Sequence, residues 1–214
     1  MTEPAFVTET RIAYDTVADS YAEQLRDLLD ESPWDRAMLG TFAELVKGSG
    51  PVGDLGCGPG RLTGYLASLG LEVFGVDLSP GMVDAARRAH PGLRFEVGSM
   101  AALDIGDGDL AGAVAWYSLI HTPPEELPSV VAELARVLAP GGRLLTGFQV
   151  GDERRHITQG YGHDVSFDAY RLQPDFVAEL CAAAGLVVEA RLVREPQGPY
   201  EKTPQACLLV RKPG

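Results

Sequence analysis

The sequence predicts an α/β protein: an open, mostly parallel seven-stranded sheet with an antiparallel last strand, helices on both faces and a helical N-terminal cover. Three observations carry that prediction. Residues 52–60, Val-Gly-Asp-Leu-Gly-Cys-Gly-Pro-Gly, run from a short apolar stretch through an acidic residue into glycine at every second position. Roughly twenty residues on, where an open sheet places its second strand, Glu72-Val-Phe-Gly-Val-Asp77 is another apolar run ending in a carboxylate. From there strand-like and helix-like runs alternate, the pattern of a parallel sheet with crossover helices.

Taken in order, residues 9–29 have helical spacing, with Ile12, Val17, Tyr21, Leu25, Leu28 and Leu29 forming an apolar side opposite many carboxylates. A second helix runs from about Asp35 to Val46 and ends near Gly48 and Gly50. The first strand leads into the glycine turn. Gly56, Gly58 and Gly60 let the backbone bend sharply and approach a ligand with no Cβ in the way. Such a turn belongs at the carboxyl end of a strand, where open α/β sheets hold cofactors, and Asp54 sets a fixed carboxylate beside it. Helices follow at 61–69, 81–89 and 129–138, the last with Val130, Val131, Leu134, Val137 and Leu138 on one face. Strands are expected at Leu93–Val97, at Leu110–Ala115 and after Pro140-Gly-Gly142. Residues 150–172 are polar, with aromatics and two histidines, too long for a simple connection and therefore of functional interest. Helix 173–184, capped by Gly185, and strands 186–194 and 206–211 complete the chain.

The spacing of the glycines discriminates between cofactors. A dinucleotide fingerprint requires a third glycine or alanine where this chain has Arg61, which disfavours a nicotinamide-dependent oxidoreductase. D-x-G-x-G-x-G, present at every position from Asp54 to Gly60, resembles instead the turn of class I S-adenosylmethionine (SAM) methyltransferases. The later motifs agree in order: Asp77 followed by Leu78 and Met82, Gly98-Ser99-Met100 after the third strand, Trp116 to His121 after the fourth, and Arg136-Val-Leu-Ala-Pro-Gly-Gly142 before the fifth. Tyr14-Asp-Thr-Val-Ala-Asp-Ser-Tyr21 is similar to the opening of many small-molecule members.

The resemblance implies a Rossmann-like fold, SAM as cofactor and S-adenosylhomocysteine as product. It implies one domain over 1–214, with a helical cover (1–50), a SAM-binding core (51–149), an acceptor-side connection (150–172) and a C-terminal helix with a strand hairpin (173–214). Asp54, Gly56, Cys57, Gly58 and Gly60 would hold the methionine end, Asp77 the ribose, and Leu78, Met82, Ser99 and Met100 the adenine. Arg61 either pairs with the methionine carboxylate or caps acidic neighbours. Trp116 and Tyr21 border the cofactor, and Tyr14 and Tyr117 the acceptor.

An acceptor hydroxyl or NH needs a base, and histidine suits neutral pH. His163, beside Asp164, and His121, after the fourth strand, are the candidates, although His121 could simply pack in the Pro123-Pro124 turn. His156, Tyr161 and Tyr170 in the long connection are expected to contact the acceptor. With Trp116, Tyr117 and Phe167, the two tyrosines suggest flat walls for a planar, even heterocyclic, molecule. His90 reads as a surface residue at a helix end. A SAM-binding module without catalysis is the other alternative.

Net charge is −12, and residues 1–35 carry nine acidic against two basic side chains. That surface repels phosphate backbones and argues against nucleic acid. No apolar run is long enough to span a membrane, and the acidic first twenty residues are the reverse of a signal peptide, so cytosolic residence of a monomer or homodimer is expected. Cys57, Cys181 and Cys207 are widely spaced and suggest neither a metal site nor a disulfide framework.

Overall fold

The computed structural model describes residues 3–198 and 201–214. Helices α1 (Ala5–Gln24) and α2 (Pro33–Val46) precede the sheet. Strands β1 (Val52–Leu55), β2 (Val73–Asp77), β3 (Arg94–Val97) and β4 (Leu110–Trp116) are joined through α3 (Arg61–Ser68) and α4 (Pro80–Ala89) and a loop after β3. Helix α5 (Leu127–Val137) leads into β5 (Leu138–Gln149), and α6 (Pro174–Ala183) precedes β8 (Val187–Arg194) and β9 (Gln205–Arg211). The sheet order is β3-β2-β1-β4-β5-β9-β8, with β9 antiparallel to both neighbours and the first five strands parallel. The order reverses at β1, whose partners are β2 and β4, so a crevice opens at the carboxyl ends of these strands.

Both faces of the inner strands β1, β2, β4 and β9 are buried, which explains their continuous apolar runs, whereas the edge strands β3 and β8 are largely exposed. In β4, Ala113 and Ala115 face α5 and α6, where Val130, Val131, Leu134 and Val177 pack; Val114 between them faces Leu39, Phe42 and Val46 of α2 and Leu66 of α3. The expected face of α5 is therefore the packed one. Cys181 and Cys207 are buried fillers, and the described cysteines are all free.

Three expectations need correction. Helix α1 ends at Gln24, and Ile12 and Leu28, placed on its apolar side, are 59% and 41% exposed. Its buried residues are Val7, Thr10, Ala13, Val17 and Ala18. The reason is the close approach of α4: an atom added at Gly81 would lie 3.3 Å from Ala18 Cβ, so small residues, not the leucines, make the contact. Asp15 Oδ1 accepts from Ser79 Oγ (2.5 Å) and Gly81 N (2.9 Å), placing a negative charge at the N-terminus of α4.

Residues 150–172 are likewise not an irregular connection. They contain an antiparallel hairpin, β6 (Arg154–Gly160) and β7 (His163–Tyr170), with Ile157 opposite Phe167. Tyr161 (φ 53°) and Gly162 (φ 86°) both occupy the left-handed region, as a tight two-residue hairpin turn requires. Strand β7 packs on α1, so the hairpin and the helix form one cover over the crevice. His90, expected at the surface, is half-buried: a Cβ at Gly64 would lie 2.4 Å from its ring, and burial lowers its pKa.

Candidate active site

A cavity at the carboxyl ends of β1, β2 and β4 runs between the sheet edge and α1. Its sheet-side wall begins at the glycine turn. Gly56 has φ 80°, and a Cβ there would meet Ser118 Cβ at 2.3 Å; Ser118 Oγ donates to Leu55 O (2.9 Å), tying β4 to β1. Gly58 (φ 55°) has only Tyr21, at 4.0 Å, near its missing Cβ. Its N–H donates to Asp77 Oδ2 (2.7 Å), and Ser79 N donates to Asp77 Oδ1 (2.9 Å). Burial raises the Asp77 pKa to about 6, against the opposing effect of these two amides. Each oxygen retains a lone pair for a ligand hydroxyl. Leu78, Ser99 and Met100 continue the wall.

The opposite wall is one face of α1. Phe6, Val7, Thr10, Arg11, Tyr14 and Tyr21 line it at steps of three, four and seven, the spacing of a helical stripe. Tyr14 Oη and His121 Nε2 lie 2.9 Å apart, and Phe167 of the hairpin backs both rings, with centroids 5.7 and 5.5 Å away. His121 sits in a 3-10 turn, Leu119–His121, after β4. Burial lowers its pKa to about 4, partly offset by the nearby Asp168 main chain, yet Nδ1 completes no hydrogen bond. The imidazole is therefore neutral at pH 7. Burial pushes the Tyr14 phenol well up, so that hydroxyl stays protonated.

At the end of β4 the Trp116 ring lies against Gly147, where a Cβ would come within 2.9 Å. Tyr117 adopts φ 55° and donates from its hydroxyl to Gln205 Oε1 (2.8 Å).

Of the expected site residues, the cavity brings together Gly56, Gly58, Asp77, Leu78, Ser99, Met100, Trp116, Tyr21, Tyr14, Tyr117 and His121. Others lie off its wall. Asp54 is buried behind the turn, accepting from Thr63 Oγ1 (2.6 Å), with its pKa raised by burial to about 6. Cys57 points the other way, into a cluster with Val83, Ala86 and Phe95. Gly60 caps α3 under Phe95, whose ring would be 2.8 Å from a Cβ. Met82, fully buried, packs on Val17 and Ala18 rather than on the cavity. Arg61 starts α3 and acts on Tyr21 and Asp35 only through its charge.

The hairpin residues are also displaced outward. His163 bonds to Ser20 Oγ of α1 (2.9 Å) and does not line the cavity. His156 is exposed and bonds to Asp168 Oδ1 (3.0 Å) across the strands. Tyr161 stacks on Tyr21 at 4.8 Å, and Tyr170 packs on the main core. The pairing of β6 with β7 dictates these positions. Phe6, Val7, Thr10 and Arg11 were not anticipated, although their register with Tyr14 was available in the spacing.

Residues 52–142 match the model of the methyltransferase domain family. Over these residues the chain carries a methyltransferase domain. The residues present would suit SAM: a turn free of side chains, a carboxylate with spare lone pairs at the end of β2, and an apolar slot at Leu78 and Met100. The methyltransferase domain is 37% identical over 138 residues to trans-aconitate 2-methyltransferase of Methylobacterium nodulans, covering 62% of this chain and 48% of that protein. It is also similar in fold to 1,6-didemethyltoxoflavin-N1-methyltransferase of Burkholderia thailandensis (TM-score 0.67, 22% identity, 100% and 93% of the two chains). A SAM-dependent methyltransferase of Methanosarcina mazei gives a TM-score of 0.68 at 20% identity, over 76% and 92%. The chain spans between 36% and 48% of the first curated relatives it matches. Among the described residues no helix is long and apolar enough to cross a membrane.

Proposed function

We propose that the protein transfers a methyl group from SAM to an oxygen or nitrogen of a small molecule, as one unit over the whole chain, with α1 and the β6–β7 hairpin shaping the acceptor side. The observation that carries this reading is the buried Tyr14–His121 pair, set in the cavity wall opposite Asp77. Bound SAM supplies an electrophilic methyl group on a good leaving group, so the protein's tasks are alignment, exclusion of water and removal of one proton.

Asp77 would accept the ribose hydroxyls, and the turn at Gly56 and Gly58 would admit the methionine end. Leu78, Ser99 and Met100 would border the adenine. On the acceptor side, Tyr14 Oη donates to His121 Nε2 and leaves its own lone pair for the acceptor's O–H or N–H. As the new bond forms, the acceptor proton passes to Tyr14 Oη while the Tyr14 proton passes to His121 Nε2. No phenolate is needed, which matters because that hydroxyl is buried. A base as weak as His121 suffices, because an oxygen or nitrogen gaining a methyl group becomes strongly acidic. Trp116 and Tyr117 offer flat surface for a planar acceptor. The acceptor named for the similar Burkholderia thailandensis enzyme, 1,6-didemethyltoxoflavin, is a planar heterocycle.

The test follows labelled methyl groups from SAM into the small-molecule and macromolecular fractions of a cell extract, alongside SAM affinity. Label is expected in the small fraction. Asp77→Ala should weaken SAM binding about 100-fold, from lost hydrogen bonds to a charged group. His121→Gln and Tyr14→Phe should lower turnover about 100-fold or more with SAM affinity kept. Label only in macromolecules, or full turnover in His121→Gln, would refute the reading.

A further inference from the structure

Among the described residues, Arg11 is the only lysine or arginine lining the cavity. It stands one turn before Tyr14 on α1, and both side chains line the same cavity. Its guanidinium is engaged as a fork: Nη1 donates to Glu3 Oε1 (2.8 Å) and Nη2 to Glu3 Oε2 (2.7 Å). That is the two-point geometry by which arginine recognises a carboxylate. Glu3 lies before α1 and is partly exposed, as is Arg11; its Oε2 also accepts from Thr8 Oγ1 (2.7 Å). Exposed ion pairs of this kind are weak and exchange readily.

We propose that the acceptor carries a carboxylate, which docks on Arg11 in the place the Glu3 side chain now occupies. The inference rests on the methyltransferase reading and specifies its substrate class: a small planar acid whose hydroxyl or amine faces Tyr14. Glu3 acts as an internal competitor for the same fork. In a strongly acidic protein an incoming anion meets unfavourable potential over much of the surface. A single guanidinium on the cavity wall then selects acids that can reach it. Carboxylate recognition at Arg11 also divides the labour between the walls, with the cofactor's polar contacts at Asp77 and the acceptor's on α1.

The experiment is calorimetric titration of the full chain, saturated with S-adenosylhomocysteine, with 4-hydroxybenzoate and anthranilate, each against its amide. The acids should bind about tenfold tighter than the amides, the worth of one charged two-point contact. Glu3→Gln should tighten the acids severalfold, and Arg11→Met should weaken them about tenfold with S-adenosylhomocysteine affinity unchanged. A purely structural Glu3–Arg11 pair predicts the opposite for Glu3→Gln, a lower melting temperature with no gain in affinity, and that outcome overturns the proposal. So does equal binding of acids and amides, or no binding of any acid to protein that holds S-adenosylhomocysteine. Loss of S-adenosylhomocysteine affinity in Arg11→Met would put Arg11 at the cofactor end and likewise overturn it. Failure of the wild-type chain to bind S-adenosylhomocysteine would instead remove the methyltransferase reading beneath it.

Discussion

The sheet-side wall of the cavity presents backbone amides, a glycine turn and one carboxylate, whereas the wall contributed by α1 presents side chains alone. On the sheet side, Gly58 N and Ser79 N are aimed at Asp77 by the conformation of consecutive residues at strand ends. On the helical side, Tyr14 meets His121 across 107 residues of sequence. The first wall is rigid and suited to an invariant cofactor. The second can change its side chains without disturbing the sheet, and that is where acceptor choice resides in the proposed function.

The sharpest way to break this contrast is to put a side chain into the glycine turn. Gly56→Ala combines a left-handed backbone with a 2.3 Å clash against Ser118, and should destabilise the fold by about 3 kcal/mol or more. Gly58→Ala has φ 55° but open space, so a loss of about 1–2 kcal/mol is expected, with a larger effect on SAM affinity. Denaturant titration of the two variants measures the difference; equal losses would mean the turn is not braced by Ser118.

Two groups near the strand ends, Asp54 behind the glycine turn and His121 on the cavity wall, also titrate with opposite signs. Burial raises Asp54 to about 6, above its unfolded value. Its contribution to stability is therefore fully present below about pH 4 and lost as pH rises through about 6. Burial lowers His121 to about 4, so its contribution is present above its unfolded value near 6.5 and lost as pH falls through about 4. Asp54→Asn keeps an acceptor for Thr63 and removes the buried charge. It should raise stability at pH 7.5 by about 1–3 kcal/mol and reduce the gain on acidification toward pH 5 to the share contributed by Asp77. Melting curves from pH 4 to 8 check both, and an unchanged slope in Asp54→Asn would contradict the sign assigned here.

The smallest effect separates the cover's structural contacts from its chemical ones. His163→Ala removes the bond to Ser20 of α1 and should cost about 1 kcal/mol or less. Turnover should remain within a factor of two, in contrast to His121→Gln. A large loss of turnover with intact stability would return His163 to the reaction.

Much of the sheet wall was legible because its features are local. A carboxylate at a strand end, as at Asp77, and alternate glycines at 56 and 58 follow from short runs of residues. Even there the motif over-predicted: Asp54, Cys57, Gly60 and Met82 belong to the pattern yet serve its packing, since consecutive strand and turn residues must point alternately toward the cavity and toward the core. The hairpin was missed although Val165, Phe167 and Ala169 alternate with polar residues. Its turn, Tyr161-Gly162, lacks the usual Asn-Gly, and a polar outer face hides the period of two.

The amino-acid sequence by itself determined the order of strands and helices, the glycine turn, the carboxylate at Asp77 and the apolar face of α5. Each of these depends on backbone conformation and burial periodicity within a few residues. Only the tertiary structure decided which histidine joins the cavity and which face of α1 closes it. Those outcomes depend on how α1 packs against α4 and the β6–β7 hairpin. Small residues at Ala18 and Gly81 and contacts across more than a hundred residues fix that packing, and no local spacing encodes it.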